Sequence, residues 1–437
     1  MRHRTLTGMV CALIGAAMAN GQSNVITCWW TDQPGNVFID QGRRWVRITG
    51  PGTFKLDAVS FGMLGVIDKI YTDPNINGTV VLHVSRDPNA GDPNSPGCTQ
   101  CKEIDLTGAT ESIIAVLRCS SHAGSVGPIR ASRIRDACVV GGSVLHDLEL
   151  AGSIDCPLTI NGFLRANLTC TALHDLTVNG IGMAPTTTLP RISITAGGYA
   201  HTMSIKQTVE KLSIAGDIAA GASIQFLNYA DLYHLDMANG ILYGTLGVAN
   251  QLRKADLAGI AQGGELSVAV EIGNDPNGYF HVSGDVAGAL SVPYVDTDFQ
   301  VDGAVTSTGT ITVNQSFDTT GFGEAIIGGV ASGGSIEIGS LDGDLSFTNA
   351  MSGYLHVVDD LSGTLEFGAT GTGTVEIGTL SGQFHALEEL DGTLMVGAVT
   401  SSGEIYGAGG ISAGVQIETD MAGTIETATG TDLSGSA

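Results

Sequence analysis

The feature that most constrains the fold is a repeat of about ten residues in the C-terminal half of the chain. Each copy opens with a glycine, and polar and apolar side chains then alternate over the next residues. The copies begin at Gly343, Gly353, Gly363, Gly373, Gly382, Gly392, Gly403 and Gly423, with earlier ones at Gly264, Gly278, Gly288 and Gly309. A period of two predicts a short strand with one buried face. Because so short a strand cannot bury that face alone, the copies are predicted to stack into an all-β parallel solenoid.

The alternation also predicts the register of the core. Two copies per coil give about 20 residues per coil, a usual length for such repeats. The residues expected to point inward are Leu345, Phe347, Leu355, Val357, Leu365, Phe367, Val375, Ile377, Leu394 and Ile425. Those expected to point outward are Ser346, His356, Glu366, Glu376 and Glu426. The opening glycines are expected to supply a positive φ at each corner.

The rest of the chain divides by composition around this repeat. Residues 1–19 are predicted to be a signal peptide and residues 20–60, which hold all three tryptophans, an N-terminal cap over the first strand edge. Residues 61–260 are predicted to form an irregular solenoid with longer loops and the cysteines. Residues 261–430 form its regular acidic part, and residues 431–437 a tail.

The N-terminus is typical of an exported protein. Arg2 and Arg4 precede an apolar run, and the run ends in Ala17-Met18-Ala19, the small-residue pattern of a cleavage site. The run is too short to cross a bilayer, and no later segment is long and apolar enough to do so. A secreted protein, periplasmic or extracellular, is therefore predicted.

Charge is distributed very unevenly. The chain has 19 Lys and Arg against 44 Asp and Glu, and its formal net charge is −25. Residues 255–437 contain 25 acidic residues and no Lys or Arg, so this segment carries the whole negative charge. Nucleic acid is excluded as a partner because binding a polyanion requires a basic surface. Glycans or other surface proteins are the expected partners, and no cofactor is expected beyond a weakly bound divalent cation.

Cysteines are confined to the first part of the chain. Cys98 and Cys101 lie in a loop rich in Pro and Gly, which favours a local structural disulfide over a redox pair or half of a zinc site. Cys119, Cys138 and Cys156 are 19 and 18 residues apart, and this spacing predicts an inward ladder with one cysteine on each successive coil.

One candidate metal site follows from the coil length. If alternate copies share a face, Glu337, His356 and Glu376 stack outward on three successive coils about 4.8 Å apart. Two carboxylates and a neutral imidazole could then share a divalent cation. A solvated polar ladder is the alternative for the same residues.

On this repeat, residues 60–430 resemble bacterial secreted parallel β-helix and β-solenoid proteins. That class includes adhesins, surface-layer and scaffold proteins as well as pectate-lyase-like enzymes. The resemblance implies a secreted or surface scaffold, adhesin or matrix component with a structural or binding role. A polysaccharide lyase or hydrolase is the alternative. Since such lyases use a basic residue as proton acceptor, a lyase site would have to use Arg133, Arg135 or Arg165.

Overall fold

The chain folds as a single parallel β-solenoid of about 16 turns, with 64% of the described residues in strands and 1% in helix. This confirms the predicted fold class. The computed structural model describes residues 24–60, 65–84, 100–119, 127–182, 188–273, 275, 277–319, 324–368, 371–389, 391–409, 412 and 414–428. The predicted signal peptide and tail lie outside these residues. No helix in the described part of the chain is long and apolar enough to span a membrane.

The chain comprises two compact units, residues 1–213 with 227–229 and residues 214–226 with 230–437. The strands assigned mainly to the first unit are β1 (Asn24–Thr31), β2 (Val37–Asp40), β3 (Trp45–Ile48), β4 (Gly52–Ser60), β5 (Val66–Ile67), β6 (Lys69–Thr72), β7 (Ile76–Val84), β8 (Gln100–Cys101), β9 (Ile104–Asp105), β10 (Ala109–Cys119), β11 (Ile129–Ala131), β12 (Arg133–Val140), β13 (Leu148–Leu150), β14 (Ser153–Ile154), β15 (Leu158–Ile160), β16 (Leu168–Cys170), β17 (Ala172–Leu173), β18 (Leu176–Gly182), β19 (Arg191–Ile194), β20 (Thr202–Gln207) and β21 (Val209–Ile214). A 3-10 turn, Pro34–Asn36, lies between β1 and β2.

The strands of the second unit are β22 (Ser223–Phe226), β23 (Leu232–Leu242), β24 (Thr245–Val248), β25 (Gln251–Ile260), β26 (Glu265–Val268), β27 (Glu271–Gly273), β28 (Tyr279–Val282), β29 (Ala289–Asp296), β30 (Asp298–Val305), β31 (Thr310–Phe317), β32 (Ala325–Val330), β33 (Ser335–Leu341), β34 (Asp344–Phe347), β35 (Tyr354–Leu361), β36 (Thr364–Phe367), β37 (Thr374–Leu380), β38 (Gln383–Ala386), β39 (Thr393–Val399), β40 (Glu404–Gly407), β41 (Gly414–Ile417) and β42 (Thr424–Thr427).

The first unit begins with antiparallel pairs and continues in parallel. β1 runs antiparallel to β4, and β2 antiparallel to β3. From there β3, β6, β9, β11, β13, β16 and β19 pair in parallel as one stack. A second stack is formed by β4, β7, β10, β12, β15, β18 and β20. That residues 20–60 act as a cap stays a prediction.

The second unit has two parallel walls, and each coil contributes a strand to both. Wall A consists of β22, β24, β26, β29, β31, β33, β35, β37, β39 and β41. Wall B consists of β23, β25, β28, β30, β32, β34, β36, β38, β40 and β42. The repeat of ten residues is therefore half a coil, as the spacing predicted.

The core of the second unit follows the predicted register. Of the ten residues expected inside, nine are at most 2% exposed, and the outward set is half-buried or exposed. Ile425 is only half-buried, because β42 is paired to β40 alone among the described strands. Aromatic rings stack from coil to coil within this core: the Phe347 and Phe367 centroids are 5.0 Å apart with rings 5° from parallel. Such a pair contributes about 0.5–1.5 kcal/mol beyond the area it buries.

The corner glycines are required for a different reason from the one predicted. Gly343, Gly363 and Gly382 do not have a positive φ. A Cβ on Gly363 would instead lie 2.0 Å from the carbonyl oxygen of Gly343, and one on Gly382 would lie 2.1 Å from that of Gly363. Neighbouring coils approach so closely at this corner that only a residue without a Cβ fits.

Candidate functional site

A polar cleft lies along the first stack, on the turns that lead into β13, β16 and β19. The pairing of Leu148 with Leu168 and of Leu168 with Ile192 places the preceding residues, Asp147, Asn167 and Arg191, on consecutive coils. The cleft has a volume of about 420 Å³, within the range of small-molecule sites. It is lined by Leu145, His146, Asp147, Arg165, Ala166, Asn167, Thr188, Leu189, Arg191 and Glu210.

The floor of the cleft is held by side chains that bond the backbone of the next coil. The backbone N–H of Asn167 donates to Asp147 Oδ1 (2.9 Å), and the backbone N–H of Arg191 donates to Asn167 Oδ1 (3.1 Å). The Arg191 guanidinium forms an ion pair with Glu210. The hydrogen bond that Arg191 donates to the Glu210 carboxylate raises the pKa of Arg191 above its ordinary value. These polar groups are therefore fixed in place.

Arg165 is the cleft residue with unused hydrogen-bonding capacity. Its Nε is buried and contacts no hydrogen-bond acceptor in the described part of the chain. Its guanidinium lies over the Phe163 ring, 5.8 Å from the centroid. A buried donor without a partner is unfavourable by about 1–3 kcal/mol.

The other two arginines considered for a lyase site lie elsewhere and form ion pairs, although Arg133 Nε, like Arg165 Nε, is buried without a hydrogen-bond partner among the described residues. Arg133 contacts Glu111 (3.0 Å), and Arg135 contacts Asp136 (2.9 Å). Neither lines the cleft. Of the three candidates, only Arg165 lies among the other acidic and basic groups of the cleft.

The backbone of Leu164, the residue before Arg165, is hydrogen-bonded on both of its edges, on one of them by a buried glutamine. On one side Leu164 forms a bridge with Val144. On the other, the Leu164 N–H donates to Gln207 Oε1 (2.9 Å), and Gln207 Nε2 donates to the Leu164 carbonyl (2.8 Å). Gln207 is 0% exposed. Its side-chain amide takes the place of a neighbouring strand.

In the second unit, outward polar side chains on wall B bond across successive coils. His234 Nε2 lies 3.2 Å from Asp256 Oδ2, which also accepts a hydrogen bond from the Tyr279 hydroxyl (2.6 Å). Burial, with the hydrogen bond to Asp256, raises the pKa of Tyr279 to about 12. One coil further on, His281 Nε2 lies 3.0 Å from Asp302 Oδ2, and this contact lowers the pKa of Asp302. From β23 to β30 these polar groups bond mainly to one another, so this part of wall B is a satisfied ladder.

The register aligns the proposed metal ligands of wall A. Glu337 pairs with His356, and His356 with Glu376. The Tyr354 hydroxyl donates to Glu376 Oε2 (2.6 Å). The ligand atoms of Glu337, His356 and Glu376 do not all lie within 4.8 Å of one another. Among the described residues, those of His174, Asp175 and His201 do. Metal binding by Glu337, His356 and Glu376 stays a prediction.

Of the predicted disulfide pair, Cys98 lies outside the described residues and Cys101 is buried. The disulfide stays a prediction. For the cysteine ladder, Cys138 and Cys156 are buried as predicted. The predicted alignment is wrong, because Cys119 pairs with Val140 and Cys138 pairs with Leu158. Cys156 lies before β15, two residues short of the position beside Cys138. The coil lengths differ slightly from the cysteine spacing, and a shift of two residues keeps the same face but separates the side chains.

The free thiols of Cys156 and Cys170 are expected to resist alkylation in the native protein. Burial raises the pKa of Cys156 to about 11 and that of Cys170 to about 12, so almost no reactive thiolate forms at pH 8. Mass spectrometry after iodoacetamide treatment should find both unmodified in the native protein and both modified in urea. Labelling at equal rates in the two conditions would contradict the buried placement.

The cleft and the His174 cluster were not predicted from the sequence. One pattern pointed to both: Leu-His-Asp-Leu occurs at residues 145–148 and again at residues 173–176. In each copy the His-Asp pair precedes a strand, β13 in the first and β18 in the second.

No protein-family model, curated protein or solved structure matches this chain.

Proposed function

We propose that the protein is a secreted or surface-exposed scaffold that binds a glycan through the cleft of its first unit. The observation that carries this proposal is Arg165, which lines a cleft of mostly polar side chains and forms no ion pair with a carboxylate in the described part of the chain. Arginine binds carboxylates in a planar, bidentate geometry. The favoured ligand is therefore a saccharide that carries a carboxylate, such as a uronic acid.

The scaffold part of the proposal is supported by the second unit. Its two walls repeat coil by coil, and outward polar groups of wall B are paired with each other from β23 to β30. Such a wall can remain soluble through its acidic charge. Export is supported by the sequence of residues 1–19.

A polysaccharide lyase is the second candidate, and the composition of the same cleft favours it. Arg165, His146 and Asn167 line the cleft together. A lyase needs a group to neutralise the uronate carboxylate and another to remove the neighbouring proton. In this arrangement Arg165 and Asn167 would bind the carboxylate, and His146 would be the base.

A binding and depolymerisation experiment distinguishes the two candidates. The mature protein is expected to bind uronic-acid oligosaccharides on a glycan array, and Arg165→Gln to weaken binding roughly 10- to 100-fold, since hydrogen bonds to charged groups contribute about 1.5–3 kcal/mol. Arg135→Gln, which removes an exposed arginine paired with Asp136, is the matched control and should bind normally. Release of unsaturated ends from the bound polysaccharide would establish the lyase. A folded protein that binds no acidic glycan would refute both.

A further inference from the structure

A second site lies in the first unit, where two histidines meet on adjacent coils. His174 and Asp175 lie between β17 and β18, and His201 lies immediately before β20. Leu176 pairs with Met203, which places His174 opposite His201. Their rings stack with centroids 4.0 Å apart and planes 24° from parallel.

The surrounding contacts hold these groups in place. The Thr202 N–H donates to Asp175 Oδ1 (2.8 Å), which leaves Oδ2 for a ligand. The hydroxyl of Tyr199, a residue 1% exposed, donates to the His174 carbonyl (3.3 Å), and its ring meets His201 edge-on at 6.2 Å. The cluster is thus anchored to the core through Tyr199 while its own side chains remain half-buried and accessible to an ion.

The donor atoms lie close enough to one another that rotation of the two stacked imidazoles would bring them around one metal ion. One ligand atom from each of His174, Asp175 and His201 lies within 4.8 Å of the others. His174 Nδ1 accepts the Asp175 N–H (2.8 Å), and a bound metal ion would take the place of this donor on the Nδ1 lone pair. This nitrogen lies 3.3 Å from Asp175 Oδ2. Two ligands at about 2.0–2.1 Å from a tetrahedral Zn²⁺ lie roughly 3.3 Å apart.

We propose that His174, Asp175 and His201 bind a divalent transition-metal ion such as Zn²⁺. Two imidazoles and one carboxylate are a donor set suited to Zn²⁺ and its neighbours rather than to Ca²⁺ or Mg²⁺, which take mostly oxygen ligands. Three protein ligands leave a fourth position on a tetrahedral ion for water or a ligand.

The test is a titration of the mature protein with Zn²⁺, followed by calorimetry or by competition with a chromophoric chelator. The wild-type chain is expected to bind one ion, and His174→Ala and His201→Ala to weaken binding at least about tenfold. Asp175→Asn keeps an oxygen for the Thr202 amide but removes the charge. This variant should bind Zn²⁺ more weakly but keep the melting temperature of the wild-type chain. An unchanged melting temperature would show that the weaker binding is not caused by unfolding.

Two further variants make the experiment decisive. His385→Ala removes an outward histidine of wall B that stacks edge-on with Tyr406 and should leave Zn²⁺ binding unchanged. His356→Ala tests the alternative site with Glu337 and Glu376. Loss of Zn²⁺ binding in His356→Ala with retention in His174→Ala would overturn the proposal, as would a folded wild-type protein that binds no Zn²⁺.

Discussion

Replacing Gln207 by leucine is expected to lower the free energy of unfolding by about 2–6 kcal/mol. The Gln207 side-chain amide is the partner of both the N–H and the carbonyl of Leu164, and the site is fully buried. Leucine has a similar volume but no polar atoms, so both backbone groups would remain buried without a partner. Each such group is unfavourable by about 1–3 kcal/mol, and β-sheet packing around Leu164 leaves little room for water to replace the amide.

Urea unfolding followed by circular dichroism measures this effect through the shift of the midpoint. The matched control is Gln383→Leu, which removes an exposed amide whose contact is Glu404 at 3.3 Å. Its effect should stay within about 0.5 kcal/mol, as for most surface substitutions. Equal midpoints for the two variants would show that the Gln207 amide does not act as a substitute strand.

Gly363→Ala is expected to destabilise the second unit by about 1–3 kcal/mol or more, the range for overpacked sites. The added Cβ would lie 2.0 Å from the Gly343 carbonyl oxygen. Because that atom belongs to the backbone of the neighbouring coil, it cannot move away as the end of a flexible side chain would. The coils must therefore separate locally, which lengthens the hydrogen bond from the Thr364 N–H to the Gly343 carbonyl (3.3 Å).

Gly414→Ala provides the comparison for this prediction. No atom lies within 4 Å of a Cβ built on Gly414, and its φ is not in the left-handed region. Alanine there should leave the melting temperature unchanged or raise it slightly, since it restricts the unfolded chain. A loss of stability equal to that of Gly363→Ala would mean that close approach of the coils is not the reason for the glycine.

The fold and the core were predictable because one pattern governs both. Alternation over four residues determines which side chains are inside, and from β33 onward the coils are nearly constant: Leu345 pairs with Leu365 and Leu365 with Phe384, 20 and 19 residues further on. A small error in spacing does not accumulate there. This is why the alignment of Glu337, His356 and Glu376 followed from counting residues.

The cleft and the histidine cluster could not be located in this way. In the first unit Leu148 pairs with Leu168 after 20 residues, but Leu176 pairs with Met203 after 27. Loops of different length separate the strands, so the sequence distance no longer tells which side chains meet. The same irregularity explains why equally spaced cysteines failed to align. Residues on different coils form these sites, and the alternating pattern does not predict how many residues each loop adds between one coil and the next.

The contact between Gly343, Gly363 and Gly382 has a consequence for how the length of such a chain can change in evolution. Each glycine fits only beneath another coil that turns at the same position. Inserting one residue would move a side chain into this corner and also exchange the inner and outer faces of the following strand. Inserting or deleting about 20 residues, a whole coil, would place one glycine over another again and leave both walls continuous. The second unit is therefore expected to vary among descendants of this gene in steps of one coil.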